Sequence, residues 1–223
     1  MKAGPCVLIL TSLLLVATAQ GAHWAELELP ESAISAIHHE DTKQLVAAVR
    51  GVPKAKLNAG LITACRLGKL EAVKALVDLG AEPSFVIQRH PAIAEESPLR
   101  YAIESDNLDL VAFLLDCKGA LHLNHHGDPL ELGTAAGTGR VDATAKILTA
   151  LRQMRPSRYQ AYIESAIVLM VWNKQKDAAI SIISHYTTDL PNSSLERLKK
   201  SVVALGGASS LALLEEVWQA GRR

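Results

Sequence analysis

The side chains best suited to chemistry lie in one histidine-rich stretch, HLNHHGD, which spans residues 122–128. It brings together His122, His125, His126 and Asp128, and imidazole nitrogens and carboxylates are ligands that zinc and copper accept. Adjacent histidines usually point apart, however. A contact surface for a protein partner and an ordinary polar loop are the alternatives that the spacing leaves open.

Motifs that would indicate an enzyme are absent from the sequence. It has no G-x-S-x-G, no phosphate-cradling loop, no H-E-x-x-H and no C-x-x-C. The stretch GTAAGTG (133–139) lies in a predicted helix and turn rather than after a strand, which favours close helix packing. HHED (38–41) falls at a predicted turn, which favours a solvated polar segment. We therefore expect no catalysis and no cofactor.

The composition restricts both the structure and the class of partner. The chain has 223 residues, a formal net charge of zero, 49% hydrophobic residues and 4% aromatic residues. Alanine and leucine dominate, which favours helix. Because there is no charge excess, nothing electrostatic indicates binding to nucleic acid or to an anionic membrane surface.

The start of the chain has the pattern of a secretory signal peptide. Lys2 gives a positive start, residues 6–17 form an apolar run, and ATA (17–19) puts small residues at the −3 and −1 positions of a cut before Gln20. The run is shorter than the ~20 residues of a transmembrane helix, although an uncleaved anchor is the alternative. We expect an exported protein, periplasmic or secreted, with no membrane span in the mature chain. A cut one residue later would leave a GAH start that could chelate copper.

Export permits a disulfide between Cys65 and Cys117. Their predicted places differ, however, since one lies inside an inner helix and the other just after an outer helix, whereas a bridge needs Cα atoms within about 7 Å. We favour the alternative that both are separate small apolar fillers. Asn192 begins an N-glycosylation sequon, which matters only if the source is a eukaryote.

The elements that must position these side chains are indicated by an internal repeat. Four stretches align, AIHHEDTKQLVAAV (36–49), ACRLGKLEAVKALV (64–77), AIESDNLDLVAFLL (102–115) and AAGTGRVDATAKIL (135–148). Each has a small first residue, a polar or glycine-containing turn, and then apolar residues at helical spacing. In the second copy these apolar residues are Leu70, Val73, Leu76 and Val77. Each copy therefore predicts a helix, a tight turn and a second helix, and copies must stack to bury both faces.

The third copy resembles an ankyrin repeat. SPLRYA (97–102) is similar to the ankyrin T-P-L-H-x-A opening, with Ser97 as the helix cap, Pro98 at the first helical position and Leu99 pointing inward. LDLVAFLL (108–115) resembles the second ankyrin helix. A TPR-like or HEAT-like solenoid is the competing fold, and the Ser-Pro-Leu opening argues against it.

The exits from the repeats carry the resemblance further. DLGAEP (78–83) and CKGALHLN (117–124) are similar to the Gly-Ala exit into a projecting finger, with Gly80 and Gly119 suited to the left-handed conformation that ends a helix. The resemblance covers residues 33–151. It implies an all-α, ankyrin-type helical-repeat solenoid of about five or six repeats, the C-terminal ones degenerate.

Two departures from the ankyrin pattern are visible. The motif's histidine position holds Ile62, Arg100 and Gly133, so its usual hydrogen bonds are missing and we expect modest stability. Pro129 comes earlier than the pattern requires, so we expect the helix of the fourth repeat to begin a turn early.

The C-terminal part is expected to hold one or two degenerate repeats that cap the stack. MVWNKQKDAAISII (170–183) fits the helix–turn–helix template, and ALGGASSLALLEEV (204–217) fits it loosely. AIVLMVW (166–172) predicts a buried helix rather than a membrane segment, and we expect Leu214 and Trp218 to seal the end. The expected organisation is a signal peptide at 1–19, a lead-in at 20–32, ankyrin repeats at 33–151, and degenerate helical repeats with a C-terminal cap at 152–223.

The resemblance implies a protein-binding surface made by the fingers and the inner helices. Phe85 is the one aromatic finger residue in the set, and aromatic anchors concentrate binding energy, although it could instead pack under its own loop. The candidate partner-binding residues are Arg66, Leu67, Glu82, Phe85, Gln88, Glu104, Ser105, His122, His125, His126 and Thr138.

The sequence therefore predicts a non-catalytic protein–protein interaction module that acts in the periplasm or extracellular space, is monomeric alone and binds a protein partner. One alternative is an immunity or antitoxin protein that neutralises a toxin in the same compartment. Another is a metal-binding or oxidative-stress-protective periplasmic protein that uses the histidine-rich finger.

Overall fold

The computed structural model describes residues 29–87, 96–117, 119–123 and 127–222. The signal peptide expected at 1–19 and three of the candidate contact residues, Gln88, His125 and His126, lie outside them. The chain forms two compact units that divide between Glu82 and Pro83. We call these the first and the second unit.

The first unit contains two pairs of helices. Its helices are α1 (Glu31–His39), α2 (Thr42–Ala48), α3 (Lys54–Arg66) and α4 (Leu70–Asp78). In each pair the first helix and the second pack against each other across a tight turn. The buried face of α4 consists of Ala72, Val73 and Leu76, while Leu70 and Val77 are half-buried at its edges.

The second unit contains three further pairs and one long final helix. Its helices are α5 (Pro98–Glu104), α6 (Leu108–Asp116), α7 (Leu130–Gly137), α8 (Val141–Met154), α9 (Tyr159–Trp172), α10 (Lys176–His185) and α11 (Ser193–Gly221). Short 3₁₀ turns at Pro156–Arg158 and Thr187–Asp189 precede α9 and follow α10. The inner helices α5, α7 and α9 pack in sequence, and α6 packs on α8 outside them.

Every helix pair turns through one left-handed residue at the same place in the repeat. These residues are Glu40, Gly68, Asp106, Gly139 and Lys174, with φ between 57° and 73°. In the turns at Glu40, Gly68, Gly139 and Lys174 the next backbone N–H donates to the carbonyl at the start of the aligned stretch. The bonds run from Asp41 to Ala36 (3.0 Å), Lys69 to Ala64 (3.0 Å), Arg140 to Ala135 (2.9 Å) and Gln175 to Met170 (2.8 Å). The predicted repeat is confirmed, including its weak first copy and the fifth copy at 170–183.

The third repeat starts as its sequence predicts. The Ser97 hydroxyl oxygen accepts a hydrogen bond from the Arg100 N–H at 3.2 Å, Pro98 opens the helix and Leu99 is fully buried. Gly80 and Gly119 both have a positive φ, as expected. The fourth repeat differs from the expectation. Counted from the alanine that opens each aligned stretch, α7 begins one residue earlier than α5 and not a full turn earlier.

The prediction of a last helix–turn–helix at 204–217 is wrong. The helix α11 runs without a break from Ser193 to Gly221 and packs on both α9 and α10. Leu214 and Trp218 are buried within it, so they close the core at this end as predicted. None of the described helices is long and apolar enough to cross a membrane.

The helix α9 is buried over most of AIVLMVW, but Leu169 is half-buried and Trp172 is 49% exposed. Cys65 is a buried thiol and Cys117 a partly exposed one, which fits the expectation of separate apolar fillers. Burial, with a smaller contribution from the adjacent Asp116 charge, raises the pKa of the Cys117 thiol.

Candidate protein-interaction surface

The two fingers of the second unit are held at their bases by short antiparallel bridges. One joins Ile87 to Glu96, and the other joins Leu123 to Pro129. The residues that the structure describes at these bases include two of the predicted contact residues, Phe85 and His122. Both are partly buried.

His122 belongs to a partly buried polar network at the base of its finger. Its Nδ1 lies 2.8 Å from Glu131 Oε1, its Nε2 lies 2.9 Å from the Ser84 carbonyl oxygen, and its backbone N–H donates to Glu131 Oε2 at 3.1 Å. Ser97 Oγ also donates to Glu131 Oε1 at 2.9 Å. A ring that carries a proton on both nitrogens satisfies both of its acceptors. His122 therefore joins the two finger bases to α7.

Asp128, the other described member of the suggested metal set, is also engaged. Its Oδ1 accepts a hydrogen bond from Arg158 at 3.1 Å, and the neighbouring Gly127 carbonyl accepts one from the Tyr162 hydroxyl at 3.0 Å. Within the described residues no three His, Cys, Asp or Glu side chains are grouped as metal ligands would be. His125 and His126 lie outside those residues. His122 and Asp128 are engaged in the hydrogen bonds described above, so they give the metal hypothesis no support.

The turns of the third and fourth repeats meet around Arg140. Its guanidinium pairs with Asp106 and donates to the Glu104 carbonyl at 3.0 Å. It also lines an open cavity of about 380 Å³ together with Thr138. The structure therefore brings together the predicted contact residues Glu104 and Thr138, and it adds Arg140 and Asp106, which the sequence reasoning missed. Ser105 lies at the same turn and donates to the Ala102 carbonyl at 2.9 Å.

The predicted contact residues of the first unit lie at separate ends of its helices. Arg66 is exposed and Leu67 is half-buried at the end of α3. Glu82 pairs with Lys54 at 2.5 Å, and its backbone N–H donates to Asn58 Oδ1 at 2.8 Å. The hydrogen bond from Lys54 is the largest effect on the pKa of the Glu82 carboxyl, which lies below its usual value.

A second surface, which the sequence did not indicate, is an open groove of about 690 Å³ between α9 and α11. Most of its exposed wall is apolar, because small and aliphatic side chains of both helices form it. Leu205 is 55% exposed there. The lining residues are Asp128, Ala161, Glu164, Ser165, Val168, Leu169, Arg197, Leu198, Lys200, Ser201 and Leu205.

The charges in the groove wall are largely neutralised in pairs. Arg197 contacts both oxygens of Glu164, with Nη2 at 2.6 Å from Oε1 and Nε at 3.0 Å from Oε2. Burial raises the pKa of Glu164, but the hydrogen bonds from Arg197, Ser194 and Gln160 outweigh it, so the pKa lies below the usual value. Asp128 is paired with Arg158, just outside the wall.

Comparison with known proteins places this geometry in a fold family. No protein-family model matches the sequence, and no curated protein matches it. The ankyrin repeat domain of human ASB11 matches the structure with a TM-score of 0.56 at 16% sequence identity, over 84% of each chain. The chain has an ankyrin-repeat fold.

A second solved structure that the chain resembles is that of a predatory endopeptidase from Bdellovibrio bacteriovorus in complex with an immunity protein. The match has a TM-score of 0.52 at 15% identity and covers 85% of this chain and 99% of that chain. Identities this low establish the ankyrin-repeat fold alone.

Proposed function

We propose that the protein is an exported, non-catalytic module that binds another protein outside the cytosol. The observation that carries the proposal is the groove between α9 and α11, because an open groove with a mostly apolar wall offers a surface for a partner. The finger bases and the turns around Arg140 supply further polar contact positions. Without its partner, the protein is expected to be a monomer.

Export is tested by expressing the full chain with a C-terminal tag in the source organism and fractionating the cells. We expect the tagged protein in the periplasm or the medium, with mass spectrometry showing a mature start at Gln20. A variant with charged residues in the apolar run should stay in the cytosol. Retention of the full-length wild-type chain in the cytosol would refute the proposed location.

Partner binding is tested with the chain lacking residues 1–19, immobilised and exposed to the exported protein fraction. We expect one partner to be retained in stoichiometric amount and to bind with a 1:1 ratio in isothermal titration calorimetry once purified. The absence of any stoichiometric partner from every exported fraction would argue against the proposal.

An immunity role is the more specific form of this function, and the second structural match favours it. The matched complex contains an endopeptidase and an immunity protein, and the match covers almost all of the matched chain. By analogy, this chain would neutralise an exported enzyme that endangers the cell producing it. Deletion of the gene should then make cells sensitive to that one enzyme, and purified chain should inhibit it at a 1:1 ratio. Unchanged growth of the deletion strain in the presence of the active enzyme would exclude the immunity role but leave partner binding standing.

A further inference from the structure

The groove between α9 and α11 has the composition of a side-chain binding site. Its volume of about 690 Å³ lies within the range of roughly 300–1,000 Å³ that is typical of ligand sites in proteins. Ala161, Ser165 and Ser201 contribute small side chains, which let a partner approach the helix backbones closely. Val168 and Leu205 provide aliphatic contacts, so the groove fits an apolar side chain of a partner.

One basic side chain in the groove wall has no ion-pair partner among the described residues. Glu164 is held by Arg197, and Asp128 is held by Arg158. Lys200 is exposed, and among the residues that the structure describes it has no ion-pair partner. A carboxylate brought into the groove would therefore meet an uncompensated positive charge next to apolar surface. Electrostatic complementarity of this kind selects which partner binds.

We propose that this groove binds a protein segment in which an aliphatic side chain lies next to an aspartate or glutamate. The aliphatic side chain packs between α9 and α11 against Val168 and Leu205, and the acidic side chain pairs with Lys200. This assignment rests on the proposed function, since it names the surface and the partner chemistry that a protein-binding role would use. The occupant is a segment of another protein, not a second copy of this chain.

The direct test uses a displayed library of random linear peptides selected on the chain lacking residues 1–19. Enriched peptides should carry an aliphatic residue within one or two positions of Asp or Glu. A synthetic peptide of that sequence, followed by fluorescence anisotropy, should bind at least about tenfold more weakly to the Leu205→Asp variant, which loses the apolar contact. Lys200→Glu should weaken binding roughly two- to fivefold, and selection on that variant should enrich basic residues in place of acidic ones.

Matched control variants separate the groove from a general effect on the surface. Val203 is 52% exposed on the same helix as Leu205 but does not line the groove. Val203→Asp should therefore leave peptide binding unchanged. Lys146 is exposed on α8, and Lys146→Glu should likewise have no effect. Circular dichroism and thermal unfolding of each variant check that the fold is retained.

Four results would overturn the proposal, and the last of them leaves the proposed function standing. The first is enrichment of no peptide, or of peptides without acidic residues. The second is binding that Leu205→Asp leaves intact, since the peptide would then lie elsewhere. The third is dimerisation of the wild-type chain in analytical ultracentrifugation that Leu205→Asp abolishes, because a second copy would then occupy the groove. If the exported partner described above still binds Leu205→Asp and Lys200→Glu at full affinity, the groove assignment fails while the proposed function stands.

Discussion

Replacement of Glu131 by alanine is expected to destabilise the second unit strongly. Glu131 is 1% exposed and accepts hydrogen bonds from three groups, the Ser97 hydroxyl, the His122 backbone N–H and the His122 ring. These groups come from the cap of α5 and from the second finger, while Glu131 itself lies on α7. The substitution would therefore leave buried donors of two other elements without an acceptor.

The expected loss in the free energy of unfolding is about 3–5 kcal/mol. Removing one member of a buried, charge-assisted pair typically costs that much, because its partner stays buried and uncompensated. The better helix propensity of alanine returns only a few tenths of a kcal/mol. Glu131→Gln keeps one acceptor oxygen but turns an amide donor toward other donors, so it should cost somewhat less, about 1–3 kcal/mol.

The measurement is guanidinium unfolding of the chain lacking residues 1–19, followed by far-UV circular dichroism and by tryptophan fluorescence. Asp128→Ala is the matched control, because that carboxylate belongs to the same finger but its pair with Arg158 is exposed and should contribute at most about 1 kcal/mol. In a double-mutant cycle, His122→Ala combined with Glu131→Ala should cost clearly less than the sum of the two single changes.

A loss below about 1 kcal/mol for Glu131→Ala, equal to that of the Asp128 control, would refute the reasoning. Strict additivity in the cycle would also contradict it, since the two side chains would then stabilise the fold independently. Either result would mean that water replaces the carboxylate at no cost and that the network does not hold the finger bases to α7.

Four further predictions each concern a single position. Gly60→Ala should lower the melting temperature, because the new Cβ would overlap Leu29 Cδ1 and displace that buried side chain, at a cost of about 1–2 kcal/mol. Gly133→Ala, with open space around it, should instead stabilise its helix by up to about 1 kcal/mol. Because folding lowers the pKa of Glu164, its ionised carboxylate adds to the free energy of unfolding at a pH above the ordinary carboxyl pKa, and this contribution is lost as the pH falls through the folded-state pKa. In urea titrations at acidic pH, the free energy of unfolding of Glu164→Gln should therefore depend less on pH than that of the wild type. Lys174→Gly should raise the melting temperature, since the residue has a φ of 60°, and unchanged or lower stability would count against strain at that turn.

The repeat was predictable because its signals are local. An alanine followed by a polar or glycine-containing turn and an apolar stripe recurs four times, and every one of those stretches forms a helix pair in the structure. Ser97 and Pro98 are equally local signals, since a cap and a first-turn proline act through their own backbone neighbours.

The end of the chain was less predictable because glycine permits a turn without requiring one. The sequence ALGGASS suggests a break, yet α11 continues through it, since burial of Leu214, Val217 and Trp218 against α9 and α10 rewards an unbroken helix. Tertiary packing outweighs a local preference that is worth about 1 kcal/mol per glycine.

The candidate surface was only partly predictable. The turn residues Glu104 and Thr138 were chosen from repeat position, and the structure brings them to either side of Arg140. The groove was missed because two of its apolar wall residues, Val168 and Leu169, come from AIVLMVW, whose continuous apolar run resembles a fully buried helix. Whether Leu169 faces the core or a groove depends on how far α11 covers α9, and that is a property of the packing rather than of either segment.

The turns show how a long-range contact explains a local irregularity. The left-handed residue of the first repeat is Glu40, and it pairs with Lys69 of the second repeat at 2.7 Å. In the same way Asp106 of the third repeat pairs with Arg140 of the fourth. In both cases the acidic residue occupies a strained conformation, and the cation follows the left-handed glycine of the next repeat.

A left-handed conformation costs a non-glycine residue about 1–2 kcal/mol, and a partly exposed ion pair returns up to about 1 kcal/mol. The acid is therefore tolerated at the turn because it links one repeat to the next, whereas the glycine of the following repeat carries no such strain. Lys174 occupies the same position in the fifth repeat without an ion pair to a described residue. Its strain is uncompensated, so replacing it with glycine should stabilise the fold where the same replacement of Asp106 would gain little.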